Sequence, residues 1–171
     1  MVLMAPNVAL GFAIVPPPPL NPPGATLQYL FEGALAGPRA VAASTHSGLI
    51  AVAESKNRED RVTVFDAASG TMVALIGGRS GPEAGQLNCV RGVCFSADGA
   101  RVVVADSANY RLSVFDAATG VFSRHLGDRL HVRPEGVIGC LGGYVITSQS
   151  GRVVCVSEDG EGGSCRRQTL E

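Results

Sequence analysis

From residue 27 onward the chain breaks into short apolar runs, each closed by a turn built from glycine, serine or aspartate. This spacing predicts β-strands, because glycine or proline interrupts every window long enough to carry a helix. A first run, LQYLFEG at 27–33, ends on a glycine. Four more follow at 40–44 (AVAAS), 49–55 (LIAVAES), 61–66 (RVTVFD) and 71–77 (TMVALIG), with turns at 47–48 and 69–70. The same order then returns at 92–96 (GVCFS), 101–107 (RVVVADS), 111–116 (RLSVFD) and 121–127 (VFSRHLG), with turns at 98–99 and 119–120.

The two copies are in register. Phe65 and Phe115 stand 50 residues apart and Ser55 and Ser107 stand 52 apart, the difference falling where KNRED in the first copy becomes ANY in the second. A length change confined to a hairpin connection is what sheets tolerate best. A third, weaker copy runs through 135–139 (EGVIG), 144–148 (YVITS) and 152–156 (RVVCV). Its fourth strand, near 165–170, carries Arg166, Arg167 and Gln168 and is poorly formed.

A period of about 40 to 50 residues with four strands per unit is the mark of a β-propeller. VVVA at 102–105 is apolar on both faces, as a strand packed between two neighbouring blades requires. In RLSVF and RVTVF the pattern alternates: Leu112 and Val114, like Val62 and Val64, point one way, and Arg111, Ser113, Arg61 and Thr63 the other. The expected fold class is all-β, a partial β-propeller of about three four-stranded antiparallel blades at about 34–77, 87–127 and 132–171. The propeller segment as a whole runs over 27–171, after a Pro-rich lead-in at 1–26.

That lead-in begins with an apolar stretch, 2–15, and then meets Pro16, Pro17, Pro18, Pro19, Pro22 and Pro23. A disordered polyproline II segment is expected, a spacer or a ligand for SH3-like or WW-like partners. The alternative is a signal peptide over 1–15, which would make the protein secreted. Against it, no basic residues precede the apolar stretch, and prolines stand where small residues should mark cleavage.

Composition narrows the setting. The five cysteines are an odd number with no C-x-x-C pair, so complete pairing within the chain is impossible and free thiols in a reducing, cytoplasmic compartment are expected. No run reaches the roughly 18 apolar residues of a membrane-spanning helix, and no membrane partner is expected. Fourteen basic residues balance 15 acidic ones, leaving no global field to attract nucleic acid. Lys56 is the one lysine; the arginine excess reads as anion recognition or as the bias of a GC-rich genome.

VVVADSANYRLSVFDAATG, residues 102–120, resembles the NHL repeat, whose pattern runs apolar-V-A-D-S-x-N-x-R-apolar-x-apolar-F-D before a glycine turn. Val104, Ala105, Asp106, Ser107, Asn109, Arg111, Val114, Phe115 and Asp116 match it. The first copy matches through Val52, Ala53, Ser55, Asn57, Arg61, Val64, Phe65 and Asp66, with Glu54 where the family has aspartate. The linker GRSGPEAGQL at 78–87 is similar to the family's connection between blades. The third copy departs, with Thr147, Ser148, Gln149 and Ser150 at the acidic and Asn positions and Arg152 retained.

The matching polar residues make physical sense as structure. Asp106 and Asn109 flank a tight connection, where short polar side chains bond the local backbone or accept positive φ; Asn57 stands at the corresponding place. Arg61 and Arg111 begin the next strand, within reach of Glu54 and Asp106 across the hairpin. The three histidines, His46, His125 and His131, fall at a turn, on an outer strand and in a connection, without metal-ligand spacing. Neither a G-x-S-x-G elbow nor a phosphate loop is present, and no cofactor is expected.

Functional interest moves to residues entering the innermost strands, which the propeller resemblance puts at the rim of a central channel: Arg39, Arg91 and Glu135, with Arg133 nearby. Propeller enzymes similar to this family include a peptide-amidating lyase and lactonases; the resemblance puts the lyase's metal-binding histidines at the start of inner strands, where this sequence has Arg39, Arg91 and Glu135. The expected function is a non-enzymatic platform for protein partners. The alternatives are RNA binding through an arginine-bearing top face and a fragment of a propeller hydrolase or lyase. Three blades are too few for a ring of the usual four to eight, so the chain is expected to be part of a longer protein or to form a homodimer with a six-bladed ring. Members of the resembled family are often joined to RING modules; this sequence lacks the cysteine array.

Overall fold

The computed structural model describes residues 35–127, 130–140 and 142–158, which carry three antiparallel sheets. Blade 1 comprises β1 (Pro38–Ser44), β2 (Leu49–Lys56), β3 (Glu59–Asp66) and β4 (Met72–Arg79). Blade 2 comprises β5 (Val90–Phe95), β6 (Arg101–Asp106), β7 (Arg111–Asp116) and β8 (Phe122–Leu126). Blade 3 has β9 (Pro134–Cys140), β10 (Gly143–Ser148) and β11 (Val153–Ser157) among the described residues. In each sheet, strands pair with their sequence neighbours. The fold is all-β, a partial β-propeller. The lead-in at 1–26 and the strands expected at 27–33 and 165–170 lie outside the described residues. No described helix is long and apolar enough to cross a membrane.

The outer hairpins of blades 1 and 2 share one turn chemistry. The Asp66 carboxylate accepts the N–H groups of Ala68 and Ser69 at 3.1 and 2.7 Å, and Asp116 accepts those of Ala118 and Thr119 at 3.1 and 2.8 Å. These are Asx turns, in which a side chain stands in for a backbone acceptor. The repeated F-D at the end of β3 and β7 therefore specifies where the chain reverses.

Alternate side chains of a strand serve different cores. Val102 and Val104 of β6 join a cluster with Ala51, Val62, Val64 and Ile76 of blade 1. Val103 and Ala105 face the other way, toward Val137, Tyr144 and Ile146 of blade 3. Both sides of β6 lie between sheets, which is why VVVA lacks the alternation of a half-solvated strand; each fully buried valine adds about 1.5–3 kcal/mol. The polar side of β7 is buried too, since Ser113 is as inaccessible as Leu112.

The three innermost strands lie side by side, β1 against β5 and β5 against β9. The approach is close at Gly92, where an added Cβ would stand 2.9 Å from the Glu135 carbonyl oxygen and 3.0 Å from Gly136 Cα. β1, β5, β9 and the turns after β1 and β5 line a concave face of about 490 Å³. Val41 of β1 and Ile138 of β9 stand exposed there.

Candidate functional site at the rim of the innermost strands

Each innermost strand begins with the same irregularity. In blade 1, Pro38 faces Glu54 and Ala40 faces Ala53, so Arg39 has no partner in the ladder. In blade 2, Val90 faces Asp106 and Gly92 faces Ala105, skipping Arg91. In blade 3, Pro134 faces Ser148 and Gly136 faces Thr147, skipping Glu135. A bulge of this kind adds one residue to one strand and re-aims its side chain. Three residues singled out from sequence thus occupy one structural position, repeated on adjacent strands.

Their surroundings differ. Arg39 and Arg91 are exposed and Glu135 half-buried. The Cys89 side chain, by hydrogen bond and by charge, and after it the negative charge of Glu135 hold the Arg91 guanidinium above its ordinary pKa. Cys89 itself takes a left-handed backbone, φ 56°. Arg133 is engaged elsewhere: its guanidinium carbon lies 5.8 Å from the centre of the Tyr110 ring, and Nη1 donates to Gln149 Oε1 at 3.4 Å. It lines a separate hollow of about 300 Å³ with Tyr110, His131 and Gln149.

The hairpin residues are consumed by the fold. Asp106, fully buried, accepts hydrogen bonds from Asn88 N–H at 2.7 Å, Asn109 Nδ2 at 2.9 Å, Arg111 Nε at 2.9 Å and Ser113 Oγ at 3.2 Å. Asn109 Nδ2 also reaches the Gly81 carbonyl at 2.9 Å. Glu54 repeats the arrangement, accepting from Ala36 N–H at 2.6 Å, Arg61 Nε at 3.2 Å, Arg61 Nη2 at 3.1 Å and Thr63 Oγ1 at 2.7 Å. Burial raises the Glu54 carboxyl, but the bonds from Arg61, Thr63 and Ala36 outweigh it and the net shift is downward. In both blades a carboxylate at the end of the second strand holds the N–H two residues ahead of the innermost strand. The register thereby places the bulge.

Backbone details depart from the sequence expectation. Asn57 takes positive φ, 55°, together with Arg58 at 64°. In blade 2 the connection is a single 3₁₀ turn, Ser107–Asn109, and the left-handed residue is Tyr110 rather than Asn109. Asn109 instead spends its amide on Asp106 and Gly81. In blade 3, Ser148 replaces the carboxylate; its Oγ accepts the Arg152 N–H at 3.1 Å and lies 3.0 Å from Ser150 Oγ, and Arg152 is exposed.

One structural carboxylate was hidden in the sequence. Asp60, 3% exposed, accepts the N–H of Val90 at 3.1 Å and bonds to the hydroxyls of Ser80 and Ser55. It ties β3 of blade 1 to the start of β5 in blade 2. Burial raises its carboxyl, and the surrounding donors more than reverse that. The corresponding residue in blade 2 is Tyr110, and the Ser107 hydroxyl, which would be the counterpart of Ser55, is buried without a hydrogen-bond partner among the described residues. The available signal was an acidic residue directly ahead of RVTVF, inside what reads as a loop.

Among the described residues no group of three His, Cys, Asp or Glu side chains is placed to hold a metal ion. No protein-family model and no curated sequence matches the chain. Solved structures match it in fold. A chain of the nidogen/laminin complex superimposes with a TM-score of 0.63 at 14% identity, over 78% of this chain and 48% of that one. The β-propeller domain of Myceliophteria thermophila Cps50 (Swd1) does so with a TM-score of 0.54 at 12% identity, over 72% of this chain and 36% of that one. The chain spans less than half the length of each. At these identities the likeness is one of fold, and it is to β-propeller proteins.

Proposed function

We propose that the chain is a non-enzymatic interaction module, a segment of an NHL-type β-propeller that takes a protein partner on the rim where β1, β5 and β9 begin. The NHL assignment rests on the matched residues at 102–120 and on the buried roles of Asp106, Asn109 and Arg111. The observation that carries the binding reading is the threefold bulge. Asp106 and Glu54 are saturated by structural donors, whereas Arg39, Arg91 and Glu135 are lifted out of the ladder at the same place in three blades. Side chains of both signs in one row suit a protein surface with complementary charge, which steers and orients more than it tightens.

The test is a pull-down with the folded chain, with and without nuclease, alongside a variant carrying Arg39→Glu and Arg91→Glu. A protein partner that survives nuclease and is lost from the variant, with the melting curve unchanged, is the expected result. Capture abolished by nuclease would move the function to RNA, where Arg39, Arg91 and Arg133 would meet phosphates. A partner held equally by the variant would remove the rim from the reading.

A further inference from the structure

The junction of blades 1 and 2 and the junction of blades 2 and 3 follow one plan and are finished differently. At the first, the Asp60 carboxylate accepts the N–H of Val90 at 3.1 Å and that of Cys89. At the second, Tyr110 takes the place of Asp60, directly ahead of Arg111 as Asp60 is ahead of Arg61, and Arg133 and Pro134 take the places of Cys89 and Val90. The register agrees: Val90 faces Asp106 and Pro134 faces Ser148, each at the end of its blade's second strand. Proline has no N–H to offer. The second junction therefore lacks the acid and one of its donors, and holds a guanidinium instead.

We propose that the hollow of Tyr110, His131, Arg133, Gln149 and Ser150 is a receptor for one carboxylate, an aspartate or glutamate side chain presented by a protein partner. Arg133 Nε is buried and has no hydrogen-bond partner among the described residues, whereas buried donors are nearly always paired. Nε and Nη2 form the side of a guanidinium that meets a carboxylate through two parallel bonds. The Tyr110 ring, 44% exposed, supports the group from 5.8 Å. Reaching Nε requires the guanidinium to turn on that support, and its bond to Gln149 Oε1, at 3.4 Å, is too long to resist strongly. His131, Gln149 and Ser150 are exposed, so the hollow opens to solvent.

Charge selects the ligand. Arg133 is the one Lys or Arg among the residues lining the hollow, and its single charge matches one carboxylate, whereas a phosphate dianion would call for a second cation. That the carboxylate comes from a protein rests on the reading given above; that the hollow takes a carboxylate does not, because Arg39, Arg91 and Glu135 do not line it.

Nitrogen-15 NMR on the full chain, following the Arg133 Nε–H signal at constant ionic strength, tests this. The peptide acetyl-Gly-Asp-Gly-amide is expected to move the signal saturably, its asparagine counterpart not at all, and inorganic phosphate less than the aspartyl peptide. Arg133→Lys keeps the charge and loses the fork. Followed on the Gln149 side-chain amide, it is expected to weaken peptide binding about tenfold, the worth of one hydrogen bond to a charged group. The Arg39→Glu, Arg91→Glu variant should bind the peptide as the wild type does. No saturable shift, an equal response to the asparagine peptide, tighter binding of phosphate, or an Arg133→Lys chain that binds like the wild type overturns the proposal. So does binding lost from the Arg39→Glu, Arg91→Glu variant alone, which would return the carboxylate to the rim. Should Arg133→Lys unfold, Tyr110→Asp decides, since it supplies the acid within the chain: the Arg133 signal is expected at its bound position without peptide and unmoved by it, and a Tyr110→Asp chain that still takes the peptide refutes the site.

Discussion

Replacing Asp106 with asparagine keeps the volume of the side chain and removes its charge. The carboxylate collects four donors, from Asn88, Asn109, Arg111 and Ser113. An asparagine retains one acceptor oxygen and turns an NH₂ group toward the remaining donors. Arg111, 11% exposed, then loses its counter-charge. Breaking a buried pair by removing one partner costs about 3–5 kcal/mol, and single hydrogen bonds to a charged group contribute about 1.5–3 kcal/mol each. The bonds are not additive, because the amide oxygen still accepts and Arg111 can swing toward the Glu83 and Gln86 carbonyls it already touches at 3.4 and 3.3 Å. The lower end, about 3 kcal/mol, is therefore expected. That is a large share of a typical domain stability of about 5–15 kcal/mol, and it corresponds to a fall in Tm of roughly 6–12 °C. Urea unfolding at pH 7, followed by circular dichroism, measures it. Asp116→Asn, at an exposed turn, is the control and should cost less than about 1 kcal/mol. A loss below about 0.5 kcal/mol for Asp106→Asn would refute the role of this network in holding the start of β5.

Three further outcomes are expected. Folding lowers the carboxyl pKa values of Glu54 and Asp60 below their ordinary 4.5 and 3.8, so their contribution is complete above those values and is lost as pH falls through the depressed ones. Urea midpoints should be level at neutral pH and drop below about pH 4; a level profile to pH 3 would contradict it. Gly92→Ala forces a Cβ against the backbone of β9 and should cost about 1–3 kcal/mol, read as a fall in Tm. Burial pushes the Cys94 thiol up to about 12, whereas Cys140 is exposed. A thiol reagent at pH 8 should label Cys140 in the native protein and Cys94 only after unfolding.

The blades were legible in the sequence because their period and turns are local. VVVA announced a strand covered on both sides, and the pairing of Asp106 with Arg111 followed from their places across a hairpin. The bulges were not legible, since a skipped residue exists only relative to the partner strand's register. The choice of Arg39, Arg91 and Glu135 came from their place ahead of innermost strands, and sequence carried no sign that the ladder releases them. Arg133 looked like a fourth member of the row, yet its contacts run to Tyr110 and Gln149, because a side chain two positions from its neighbour follows the loop and not the strand. Asp60 escaped notice because neither of the two acidic residues that close KNRED has a periodicity to mark it as buried.

Asp60 also bears on how the blades melt. Glu54 and Asp106 each act within their own sheet, but Asp60 reaches from one sheet into the next, and Tyr110 leaves the following junction without that link. In a repeat array, cooperativity is set by the coupling between nearest neighbours. Blades 1 and 2 are joined by an apolar core and a buried carboxylate latch, blades 2 and 3 by an apolar core and exposed contacts, the Arg101–Glu158 ion pair at 3.6 Å and the Arg124 bond to the Glu158 carbonyl at 2.8 Å, which contribute little in solvent. Amide exchange should therefore reveal two folding units of unequal stability, with blade 3 opening while blades 1 and 2 remain closed as one. Transplanting aspartate to position 110, beside the waiting Ser107 hydroxyl, is the change that would merge them.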